Sequence, residues 1–153
     1  MFLVWRDARG GAGSDDIYAQ HVLASGEVDP AWPANGCLVC NATGFQDGPL
    51  GVADGAGGLV VAWLDFRSGT SYDIYAHHVL ASGALDPAWP ANGRAVCTAT
   101  GDQLGLVMGS DGAGGAVLAW QDLRGGATED VYAHRVLASG ALAPGWPANG
   151  YAV

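Results

Sequence analysis

Short apolar runs, cut by glycine- and proline-rich breaks, follow one another along the chain, and no stretch shows the three- and four-residue spacing of an amphipathic helix. In the last third, Leu104-Gly-Leu-Val-Met108 runs to a turn, Asp111-Gly-Ala-Gly-Gly115. Ala116-Val-Leu-Ala-Trp120 follows and matches the earlier Leu59-Val-Val-Ala-Trp63. Such a continuous apolar run is the pattern of a strand covered on both faces. After a glycine-rich loop, Asp130 to Leu137 alternates, which places Val131, Ala133, Arg135 and Leu137 on one face. Ala138-Ser-Gly and a Trp-Pro-Ala-Asn-Gly turn then lead to Tyr151-Ala-Val, the counterpart of Arg94-Ala-Val-Cys97. The pattern predicts four antiparallel strands joined by hairpin-type turns.

That set recurs. Tyr18, Tyr75 and Tyr132 are 57 residues apart, as are Trp32, Trp89 and Trp146. DIYAQHVLASGEVDPAWPANG at 16–36 returns almost unchanged at 73–93 and 130–150. A fixed period in this range marks an array of stacked supersecondary units. The repeats fall at 1–44, where the first strand is missing, 45–101 and 102–153, so eleven strands are expected. Four-stranded antiparallel units with this period fit the blades of a β-propeller in an all-β chain. A β-trefoil-like three-fold fold is the alternative, although its repeats are usually shorter. Propellers close with about four to eight blades. Three incomplete blades are therefore expected to need either flanking blades of a longer chain or self-association, with two chains forming a nominal six-bladed ring.

Composition narrows the chemistry. The 153 residues (15.5 kDa) carry six arginines and no lysine against 15 acidic groups, a net charge of −9 and a pI near 4.4. Without lysine there is no Schiff-base or P-loop chemistry, and an acidic chain repels nucleic acid. No apolar stretch is long enough for a signal peptide or a membrane span. Cys37, Cys40 and Cys97 form no even framework. On a strand, Cys37 and Cys40 stand about 10 Å apart, beyond disulfide reach of roughly 7 Å. All three read as small buried hydrophobes.

Asp54-Gly-Ala-Gly-Gly58, Trp63-Leu-Asp-Phe-Arg67, Asp73-Ile-Tyr-Ala76 and Trp89-Pro-Ala-Asn-Gly93 together resemble a repeat class of large secreted bacterial proteins. The resemblance covers essentially the whole chain. It implies β-propeller-like domains on exported or surface proteins, hence an extracellular or cell-surface, non-catalytic module whose export signal is not in this chain.

Three sets of residues are candidates for function. The pairs Asp7/Arg9, Asp65/Arg67 and Asp122/Arg124 recur with Asp16, Asp73 and Asp130 a short loop later. They are read as structural clamps, Arg67 to Asp73 for example, since a catalytic site is usually asymmetric. Asp54 and Asp111 sit in turns that resemble those of Asp-box propellers, sialidases among them. Each turn offers one carboxylate where calcium takes about six to eight oxygens, so no cofactor is expected and calcium is the only candidate. His77 and His78 point to opposite faces of a strand and cannot share a metal.

Trp32, Trp89 and Trp146 are the candidate ligand-binding residues, since three identically placed indoles could stack on sugar rings. The competing reading is that each pins its own hairpin, which Pro30, Pro33, Pro87, Pro90, Pro144 and Pro147 help stiffen. G-x-S-x-G and H-E-x-x-H motifs are absent. The expected function is a structural or binding module, a propeller segment that contacts proteins or glycans. The alternatives are a multivalent lectin and a fragment of a propeller hydrolase with its catalytic residues outside this chain.

Overall fold

A computed structural model describes residues 1–11, 15–126 and 128–153. Its elements are eleven strands: β1 (Phe2–Asp7), β2 (Asp16–His21), β3 (Cys37–Cys40), β4 (Gln46–Ala53), β5 (Leu59–Asp65), β6 (Asp73–Val79), β7 (Arg94–Cys97), β8 (Gln103–Ser110), β9 (Ala116–Asp122), β10 (Asp130–Val136) and β11 (Tyr151–Ala152). Among the described residues no helix is long and apolar enough to cross a membrane. The chain is all-β.

The strands form three antiparallel meanders, β1-β2-β3, β4-β5-β6-β7 and β8-β9-β10-β11. Each repeat thus makes one sheet, and among the described residues strands pair only within their own repeat. Strand β8 exceeds the expected run Leu104–Met108 at both ends, and a bulge interrupts the first strand of each four-stranded sheet. The register slips between Asp47 and Leu50 and between Leu104 and Val107, and the spare residues Gly48 and Gly105 lie at φ of 56° and 58°. At the other edge, β11 keeps only two residues of the expected last strand.

Two apolar layers hold the sheets together. Ile17, Ala19, Val39 and Cys40 of the first sheet pack on Leu59, Val61 and Trp63 of the middle one. On the opposite face, Val60, Ala62, Ile74 and Ala76 of the middle sheet pack on Leu118 and Trp120 of the third. Strand β5 alternates between the two layers, which is why its apolar run is unbroken. The same run in β9 is covered on one face only. Val60 and Ile74 are 0% exposed, while their counterparts Val117 and Val131 are 37% and 49% exposed.

Candidate functional site

Each repeat closes the end of its second strand with the same polar cluster. In the middle sheet the Trp63 indole N–H donates to Asp65 Oδ2 at 2.8 Å, and Arg67 donates from Nε to Oδ1 at 2.8 Å and from an Nη to Oδ2 at 2.6 Å. A further Arg67 hydrogen bond reaches the Asn92 carbonyl at 2.7 Å, and the guanidinium lies 3.8 Å above the Tyr75 ring. Trp120, Asp122, Arg124, Asn149 and Tyr132 repeat the set, and so do Trp5, Asp7, Arg9, Asn35 and Tyr18. The clamp expected between Arg67 and Asp73 is replaced by one between Arg67 and Asp65.

Asp73 instead sits directly across the strand pair from Asp65. Burial, and next the Asp65 carboxylate, push its pKa up to about 6 against the partial relief from Arg67. Beside these clusters lie Gln46 and Gln103, both fully buried. Each donates its amide to a glycine carbonyl, Gly44 or Gly101, and leaves its Oε1 without a partner among the described residues. The sequence offered one signal for them, a glutamine at the same position opening the first strand of two repeats.

The D-G-A-G-G turns of the middle and third sheets flank a groove of about 490 Å³, lined by Asp54, Gly55, Ala56, His78, Gly112, Ala113, Gly114 and Ala138. Asp54 Oδ1 accepts from the Ala56 and Gly58 N–H groups, and its Oδ2 lies 2.9 Å from His78 Nε2. The other ring nitrogen, Nδ1, lies 2.9 Å from Asp86 Oδ2. Burial raises the Asp54 pKa, but His78 and the two N–H groups outweigh it and hold the carboxyl below its usual range; His78 does the same for Asp86.

In the third repeat Arg135 replaces His78 and donates from Nε to Asp111 Oδ2 at 2.9 Å, while Ala143 replaces Asp86. The two changes belong together, because a guanidinium that already faces one carboxylate needs no second. In the first repeat His21 keeps the Asp29 partner at 2.8 Å. Both oxygens of Asp54 and Asp111 are thus engaged by protein donors. No cluster of three or more histidine, cysteine, aspartate or glutamate side chains suited to a metal occurs among the described residues.

No family model, curated protein or solved structure matches this chain.

The three turn tryptophans occupy unequal environments. Trp32 and Trp89 are 4% exposed, and each indole N–H donates across to the next sheet, to the Ala81 carbonyl at 3.1 Å and the Ala138 carbonyl at 3.2 Å. They therefore lie between the strand that leads into their own turn, Trp32 against His21 and Trp89 against His77 and His78, and the turn of the following repeat. Their rings cover Gly83 and Gly140, where a Cβ would stand 2.9 Å from tryptophan atoms. Trp146 is only half-buried and stacks on His134 at 5.6 Å. His77, stacked on Trp89 at 6.0 Å, is buried and its pKa is lowered by that burial. Cys37, Cys40 and Cys97 are buried free thiols, each pushed up to about 11 by desolvation.

Proposed function

We propose that the chain is a non-catalytic structural and binding module, a segment of an exported or surface β-propeller in which each sheet is one blade. The observation that carries this reading is the repeated seam. Successive meanders stack face to face, and the same tryptophan bonds the same carbonyl in both seams. The polar residues that recur are engaged in holding turns and seams, the role expected of a set present in every repeat. The lectin reading draws less support, because Trp32 and Trp89 lie beneath neighbouring turns.

Electron microscopy of the purified, assembled protein tests the architecture. Sheets arranged radially around a central channel are expected, and a straight stack would overturn the propeller. A panel of glycoside and ester substrates tests the rest: no turnover is expected, and hydrolysis by the purified chain would overturn the non-catalytic reading.

A further inference from the structure

The two ends of the stack are complementary halves of a seam that the chain already builds twice. On the outer face of the third sheet, Val107, Val117, Val131 and Tyr151 are exposed. Cross-strand register puts Val107, Ala119, Ala133 and Tyr151 in one row, with Val131 opposite Gln121 on the same side. In the middle sheet the equivalent face is covered by its neighbour. On the outer face of the first sheet, Leu3 is 44% exposed where its counterpart Val61 is fully buried. Leu38 shares that face through its pairing with Tyr18 and Trp5, and it is exposed too.

The tryptophan lock is divided in the same way. Gly83 and Gly140 each lie under an indole, whereas the equivalent Gly26, at a φ of 89°, has nothing within 4 Å of its Cβ position. Its turn holds Ala24, the counterpart of the acceptors Ala81 and Ala138. At the far end, Trp146 has the position of Trp32 and Trp89 and is left half-buried, with no turn above it among the described residues. One end thus carries an unseated indole and the other a vacant slot of the matching shape.

We propose that a second copy of this chain docks head to tail, with Trp146 of one copy over Gly26 of the next and its indole N–H donating to the Ala24 carbonyl. The occupant is a second copy because both halves of the interface, slot and indole alike, are on this chain, and the contact continues the geometry of the internal seams. Such a heterologous contact makes a ring if its rotation closes and a filament if it does not. The inference rests on the reading of each sheet as a stacking blade but not on radial closure. The net charge of −9 opposes association, so added salt strengthens it.

Mixing tests the contact. Val131→Glu blocks the third-sheet face, and Leu3→Glu blocks the first-sheet face; both sites are exposed, and circular dichroism confirms that each variant folds. Light scattering on size-exclusion fractions should show that the unmodified chain assembles and that each variant alone is monomeric. Their mixture should give a one-to-one pair and nothing larger. Trp146→Ala should weaken assembly by about thirtyfold or more, the effect of losing a central aromatic anchor. An unmodified chain that stays monomeric at every concentration and salt overturns the proposal. So does assembly that survives both substitutions, or a mixture that fails to pair. A one-to-one pair from a protein whose assembled particles are straight stacks would uphold this contact while removing the propeller.

Discussion

Asp65 is fully buried and gives both carboxylate oxygens to Trp63 and Arg67, so the arginine is the group that makes a buried charge tolerable. Removing it by Arg67→Ala should cost about 3–5 kcal/mol in chemical denaturation, because the carboxylate is left buried and unpaired. Adding Asp65→Asn should restore part of that loss, since the amide oxygen still accepts from Trp63 but carries no charge. A double variant no more stable than Arg67→Ala alone would contradict this account. Arg9→Ala should do less harm, as Arg9 and Asp7 stand at the exposed end of the stack. The recurring Asp-x-Arg pair was visible in the sequence but its partner was not. Arg67 begins the turn after β5 and its own N–H donates to Asp65 Oδ1, so the carboxylate two residues back lies closer than the reach across a loop to Asp73.

Asp73 shows the opposite electrostatics. Its pKa of about 6 lies above its ordinary 3.8, so the folded state binds the proton more tightly than the unfolded chain does. The resulting penalty is fully present above pH 6 and is relieved as pH falls from 6 towards 4. Unfolding free energy should therefore rise across that interval, by on the order of 2–3 kcal/mol from this one group. Asp73→Asn should be more stable than the parent at pH 7.5 and indistinguishable from it near pH 4. Equal stabilisation at both pH values would assign the gain to packing and not to charge. Below that interval the lowered carboxyls of Asp54 and Asp86 take over, and stability falls again as they protonate away from His78.

At the scale of the strand and turn, periodicity carried most of the information. Eleven strands were expected and eleven are present among the described residues, and the D-G-A-G-G turn joins the first and second strands of both full repeats. The bulge at Gly105 escaped notice because the glycine reads as an ordinary member of the run Leu104–Met108. The role of Ala-Ser-Gly was also hidden. Its glycine could be assigned to a turn, but nothing local says that an indole from another repeat lies over it. Gly83→Ala and Gly26→Ala separate the two effects, provided they are compared in a monomeric background such as Val131→Glu. Both positions have positive φ and lose about 1 kcal/mol to backbone strain. Only Gly83 also meets the Trp32 ring, so its melting temperature should fall distinctly further. Equal losses would mean that the indole moves aside without cost.

For the molecule as a whole, the sequence repeats while the environment does not. Near-identical segments acquire unequal burial because the middle sheet has two neighbours and each outer sheet one. Periodicity records what a segment prefers, but coverage depends on what stands beside it. In a quasi-one-dimensional stack, each unit draws its stability from its own fold and from its nearest-neighbour interfaces. Amide exchange of the monomeric Val131→Glu chain should therefore be slowest in β5, whose residues Leu59–Trp63 are fully buried, and faster in β1 and β10. In the unmodified chain at concentrations that favour assembly, each outer sheet gains the neighbour it lacked, and its exchange should slow towards that of β5. A monomer whose three sheets exchange equally slowly would show that the array opens only as one cooperative unit. Outer sheets that stay fast in an assembled particle would show that the copies meet somewhere other than at the ends of the stack.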